Sequence, residues 1–163
     1  MPKPPRFCPT CARPLEPRSR SGKDRLGCPD PECGYVFWDN PLPVVAGLVE
    51  HEGKVILIQN KGWPESWFGL VTGFLERGET PEAAVLRELK EELSLDGEVV
   101  RLIGVYDFSM RNEVIVAYHV RARGSIALGE ELAAYKAVEP DALKPWPFGT
   151  GHAVRDWLAA RSA

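Results

Sequence analysis

The sequence predicts an α/β domain with a mixed β-sheet, preceded by a small cysteine-rich module. Three observations carry this. All four cysteines fall within the first 33 of 163 residues. From Val44 onward, β-rich runs alternate with segments of helical length and pattern. One of those helices, Pro81–Leu95, separates its leucines from its glutamates on two distinct faces. Pro41 and Pro43 mark the junction, so the expected division is 1–40 and 41–163.

The first segment holds seven basic and five acidic residues, a balance of +2, whereas the remainder carries −5. Forty residues are too few for a large apolar core, which is where a structural metal normally substitutes. Cys8 and Cys11 are spaced C-x2-C, and Cys28 and Cys33 are spaced C-x4-C. Each pair can bend round one ion, and four thiolates close a tetrahedral zinc shell. Met1–Arg6 carries no secretory signal, so disulfides are the weaker reading and the cytosol is the expected compartment. Arg13–Arg25, between the cysteine pairs, reads as a solvated basic loop.

Val44–Glu50 and Lys54–Gln59 are β-rich runs joined at His51-Glu52-Gly53, a hairpin pattern. Lys61–Gly69, with Gly, Pro and two Trp, reads as a loop, and Leu70–Phe74 as a short apolar strand or turn. Thr80 can cap a helix and Pro81 suits its first position. That helix is expected to reach about Leu95 and stop near Asp96-Gly97. Glu98–Asp107 and Glu113–Arg123 are further strands about a turn at Arg111-Asn112, and Lys136–Val138 adds a short strand. Gly151–Arg161 closes the chain as a helix with Val154, Trp157 and Leu158 on one face.

On a helical projection with Val85 at the origin, Leu89, Leu93 and Leu86 fall between about 40° and 100°. Glu91, Glu88 and Glu92 fall between about 240° and 340°. Three crowded carboxylates repel one another unless a hard divalent cation sits among them. Mg2+ takes one or two carboxylates together with phosphate oxygens and water, so this face reads as a platform for a phosphate-bearing substrate.

The spacing around that face is specific. From Gly73 the chain reads GFLERGETPEAAVLRELKEELSL. This resembles the Nudix box, G-x5-E-x7-R-E-U-x-E-E-x-G-U, where U is a bulky aliphatic residue. Gly73, Glu79, Arg87, Glu88, Leu89, Glu91, Glu92 and Leu95 match, and Ser94 stands where the box has Gly. The resemblance implies an α/β/α sandwich over most of 44–163. It implies that Glu88, Glu91, Glu92 and the Gly73 carbonyl hold Mg2+ or Mn2+, and that Glu79 pairs with Arg87 to orient the glutamates. It implies hydrolysis of a nucleoside diphosphate linked to another moiety, with a box glutamate or a distant loop glutamate as base. Glu131, after Gly129-Glu130, is the loop candidate.

A zinc ribbon directly before such a domain resembles NADH pyrophosphatases and zinc-ribbon ADP-ribose or FAD pyrophosphatases. Lys144–Phe148, KPWPF, is similar to the core of the NADH-specific signature but lies farther along the chain, and reads mainly as a loop packed on the core. Trp63, Trp67, Phe68, Tyr106 and Phe108 are each read first as packing residues, with stacking of a base on one of them as the alternative; His51, His119 and His152 are read as no ligand. The expected partner is a small nucleotide, and the resemblance allows a homodimer. A net charge of −3 gives no broadly basic surface for nucleic acid, and the longest apolar run, Val44–Val49, is far too short for a membrane span. Two alternatives stand beside the main reading. One is hydrolysis of nucleoside triphosphates or dinucleoside polyphosphates. The other is a non-enzymatic nucleotide- or nucleic-acid-binding regulator.

Overall fold

A computed structural model describes residues 4–161. They form two compact units, Met1–Pro41 and Leu42–Ala163.

The first unit contains an antiparallel sheet of β1 (Glu16–Arg20), β2 (Lys23–Gly27) and β3 (Val36–Phe37). This corrects the expected loop over Arg13–Arg25. Arg18 pairs with Arg25 and Arg20 with Lys23 in a tight hairpin, Ser21 and Gly22 turning it with positive φ. Charge density conceals the strands from sequence: β1 and β2 are largely charged, and the half-buried apolar residues of the sheet are few, with Leu26 paired to Phe37 and Val36 beside it.

The second unit is built on a six-stranded mixed sheet in the order β7-β8-β4-β5-β9, with β6 also pairing to β4. The strands are β4 (Leu42–His51), β5 (Lys54–Asn60), β6 (Val71–Phe74), β7 (Asp96–Phe108), β8 (Glu113–Arg123) and β9 (Leu132–Val138). Only β4 and β8 run parallel. The β4–β5 hairpin turns on Glu52 and Gly53, both at positive φ, as a two-residue turn demands. β9 begins four residues before the expected Lys136.

Helix α1 (Pro81–Leu93) and helix α2 (Gly151–Arg161) cover opposite faces of this sheet. The period of two along β4 and β5 sorts the core. Val45, Val49, Ile56 and Ile58 pack with Ala84, Val85, Leu89 and Leu93 of α1. Val44, Ala46, Leu48, Val55 and Leu57 pack with Ala153, Val154 and Trp157 of α2. Both faces are therefore buried, which explains why these central strands read as continuous apolar runs. The result is the α/β/α sandwich.

Thr80 caps α1 as expected, its hydroxyl accepting from the Ala83 amide at 3.2 Å. The helix stops two residues before Leu95. Ser94 takes the left-handed conformation, φ 59 and ψ 16, and its amide donates to the Lys90 carbonyl. Serine thus adopts the geometry a C-terminal glycine would take, at some steric cost. His51 and His119 are buried and satisfied, His51 by the Gly124 carbonyl at 2.8 Å and His119 by Glu50 at 2.6 Å.

Candidate active site

In the second unit, α1 presents its glutamates to a cleft of about 510 Å³, walled also by β6 and by the turn before β9. Arg87 organises this wall. Its Nε and Nη2 donate to the two oxygens of Glu79 at 3.1 and 2.8 Å. Its Nη1 donates to Glu88 at 2.7 Å and to Glu91 at 3.1 Å, and Nη2 also reaches the Phe74 carbonyl at 3.0 Å. The pairing with Glu79 is a two-point fork that lysine could not reproduce. Glu79 in turn accepts from the Glu76 amide at 2.7 Å, tying the 76–79 loop to the helix. The guanidinium of Arg87 holds the Glu79 carboxyl below its ordinary range.

Glu88 lies directly over the Gly73 backbone. A Cβ added at Gly73 would meet a Glu88 carboxylate oxygen at 1.8 Å, so any side chain there would expel Glu88 from its position. Burial raises the Glu88 carboxyl in spite of the Arg87 contacts. Glu92 is buried, and its Oε2 has no hydrogen-bond partner. Burial, then the charges of Glu88, Glu131 and Glu91, push its carboxyl up to about 8. A buried carboxylate oxygen left without a donor among other carboxylates is what a hard cation would satisfy. The donor set, all oxygen, fits Mg2+ or Mn2+.

Glu131 reaches this cleft through an unexpected device. The segment before β9 crosses the end of α1, where the amides of Ala127 and Gly129 donate to the last free carbonyls, Leu93 at 3.0 Å and Glu92 at 2.8 Å. A Cβ at Gly129 would meet the Glu91 carbonyl at 2.3 Å, so only glycine permits this approach. Glu130 and Glu131 follow immediately and line the cleft. Gly129 was the available signal, and its meaning depends on a helix more than thirty residues earlier.

A second cleft of about 680 Å³ shares its wall with the first. Trp63, Trp67, Phe68, Phe108, Trp146 and Phe148 line it, whereas Tyr106 packs toward α2 and donates to Asp156 at 2.9 Å. Trp146 packs on the core as expected of the PWPF segment, while Phe148 is exposed in the cleft. Arg111 and Glu113, which carried no assignment from sequence, line both clefts.

In the first unit, the four cysteine sulfurs lie within 4.8 Å of one another. Cys8 and Cys33 are 3.6 Å apart, and Cys11 and Cys28 are 3.5 Å apart. Tetrahedral zinc–thiolate bonds place sulfurs about 3.8 Å apart, so a cluster of this size fits Zn2+. Burial raises the Cys8 thiol, but the amides of Thr10 and Cys11 together with the thiols of Cys33 and Cys11 outweigh it and leave it at about 6. Burial pushes Cys28 up to about 12. The cluster is consistent with a zinc ribbon.

Residues 40–157 match the NUDIX domain family. The chain belongs to the Nudix family and is a Nudix pyrophosphohydrolase. Among its relatives, an ADP-ribose pyrophosphatase of Methanocaldococcus jannaschii is 44% identical over 130 residues, covering 76% of this chain and 77% of that protein. An NAD-capped RNA hydrolase NudC of Mycobacterium tuberculosis is 33% identical over 116 residues, covering 70% of this chain. The match spans only 36% of that longer protein. Among solved structures, a NUDIX hydrolase from Nitrosomonas europaea superimposes with a TM-score of 0.81 at 24% identity, over 96% of this chain and 92% of that one. An ADP-ribose pyrophosphatase from Streptococcus suis gives 0.62 at 22% identity, over 76% and 94%. These two likenesses show the fold. Among the described residues no helix is long and apolar enough to cross a membrane.

Proposed function

We propose that this Nudix hydrolase cleaves the diphosphate of a nucleoside diphosphate linked to another moiety, of the ADP-ribose, NADH or FAD class. The observation that carries this is the shared wall between an acidic cleft and an aromatic one. A molecule with a planar base at one end and a diphosphate beyond it spans the two. The 44% identity to an ADP-ribose pyrophosphatase supports the same class.

Glu88, Glu91, Glu92 and the Gly73 carbonyl hold Mg2+ or Mn2+ in this reading. The bound ion supplies positive charge to the diphosphate oxygens and lowers the pKa of water. Arg87 and Glu79 keep the glutamates in register through the fork and the 76–79 loop. Glu131 accepts the proton of the attacking water, from the turn whose Gly129 amide is hydrogen-bonded to the end of α1. In the first unit, Cys8, Cys11, Cys28 and Cys33 hold a structural Zn2+.

The test is a nucleotide panel incubated with Mg2+ and followed by mass spectrometry. ADP-ribose should yield AMP and ribose 5-phosphate, and NADH should yield AMP and the reduced nicotinamide mononucleotide. Preferred cleavage of nucleoside triphosphates to monophosphate and pyrophosphate would replace this reading with the triphosphatase one. Binding without turnover would favour the regulator.

A further inference from the structure

Two arginines line the acidic cleft, and their situations differ. Arg87 is fully engaged by Glu79, Glu88, Glu91 and the Phe74 carbonyl. Arg111 is exposed and makes no side-chain hydrogen bond or ion pair among the described residues. Among the described residues it is also the one cation that lines both clefts. Its charge is felt by Glu113, the neighbouring acid on the shared wall, whose carboxyl it pulls down against the upward pull of burial.

The backbone beneath Arg111 is fixed. Its amide donates to the Phe108 carbonyl at 3.0 Å, and the Asn112 amide to the Ser109 carbonyl at 3.2 Å. Asn112 turns the chain at φ 54, and its carbonyl accepts from the Leu42 amide at 2.9 Å, joining the turn to the central strand. A long side chain on a rigid turn keeps its reach while its root stays in place.

A substrate crossing from one cleft to the other must bring its phosphates past this point. Seven glutamates line the acidic cleft, so a phosphate entering it needs a positive partner that is not already neutralised. The geometry points to Arg111 as a substrate-binding residue that holds the phosphate nearest the nucleoside, with the base in the aromatic cleft and the scissile anhydride directed toward Glu88 and Glu92. Guanidinium suits this task because it donates in pairs to phosphate oxygens. Arg111 thereby selects nucleotides over nucleosides and sets which end of the substrate lies among the aromatic side chains. This inference rests on the proposed substrate class for its orientation, but it can be tested without turnover.

AMP carries the relevant phosphate and no anhydride to cleave, and adenosine lacks the phosphate. Both are titrated by calorimetry in Mg2+ buffer, with quenching of Trp63, Trp67 and Trp146 fluorescence as a second signal. The wild-type chain should bind AMP more tightly than adenosine. Arg111→Ala should reduce that preference by roughly tenfold, the scale of one charge-assisted hydrogen bond, while leaving adenosine unchanged. Arg111→Lys should retain an intermediate preference. If Arg111→Ala weakens adenosine and AMP alike, the residue only supports the wall, and the inference is overturned. It is equally overturned if the preference persists in that variant or is absent from the wild type. If the wild type fails to cleave ADP-ribose yet loses its AMP preference in Arg111→Ala, the substrate assignment fails and the phosphate site stands.

Discussion

The chain carries two clusters of acidic or potentially anionic side chains, and they differ in how the fold treats them. The cysteine cluster is closed. Four sulfurs within 4.8 Å converge on one point, with amides of the first knuckle turned toward Cys8. The glutamate cluster is open. It lines a cleft of about 510 Å³, and its most buried member keeps an oxygen without any partner. A closed tetrahedral set has no position left for substrate, as in structural zinc sites, whereas an open oxygen set leaves room for phosphate and water. On the proposed reading, similar raw material, charge crowded onto a small surface, serves folding in one unit and chemistry in the other.

The largest expected effect breaks the closed cluster. Cys28→Ser should abolish binding of the one zinc per chain expected by elemental analysis. It should also open residues 4–41 to proteolysis, because metal binding in such modules supplies on the order of 10 kcal/mol of folding free energy. A wild-type protein that is folded and free of zinc would refute the structural role.

The corresponding change in the open cluster should do the reverse to stability. Glu92→Gln should lower turnover by roughly three orders of magnitude, because a ligand to the ion would be lost. The same variant should be more heat-stable than wild type when no divalent metal is added. Burial holds the Glu92 carboxyl at about 8 against an ordinary 4.5. The fold therefore favours its protonated form. That contribution is complete below pH 4.5 and is lost as pH rises through about 8. Thermal melts at pH 5 and pH 9 should show the gap between Gln variant and wild type opening on the alkaline side.

Glu131 sharpens the question of what the open cluster needs besides metal ligands. Glu131→Gln should lower kcat by about a hundredfold with little change in KM, and should remove one limb of the pH–rate profile. Near-normal turnover, even when Glu130→Gln is added, would return the role of base to the helix, with Glu88 first.

The smallest effect concerns the stop of α1 beneath that cluster. Ser94→Gly should raise Tm by roughly 2–4 °C, reflecting about 1 kcal/mol of left-handed strain relieved. Turnover should be unchanged, since Ser94 lies outside both clefts.

By itself, the sequence determined whatever depends on local order. The helix start at Thr80-Pro81, the two stripes of α1, the β4–β5 hairpin and the cysteine pairs are written within a few residues of one another. Such patterns need only helical or strand periodicity, or the reach of a single knuckle, to be interpretable. Tertiary structure decided what depends on contacts between distant segments. The β1–β2 hairpin is held by cross-strand pairing, Arg18 with Arg25 and Arg20 with Lys23, and these charged residues carry no strand signal in sequence. Glu131 enters the cleft because Gly129 fits against the Glu91 carbonyl. Arg111 lies between the clefts because the β7–β8 turn is joined to Leu42. In each of these cases the chemistry belongs to one residue, but its position is set by backbone groups elsewhere in the chain, which no local pattern encodes.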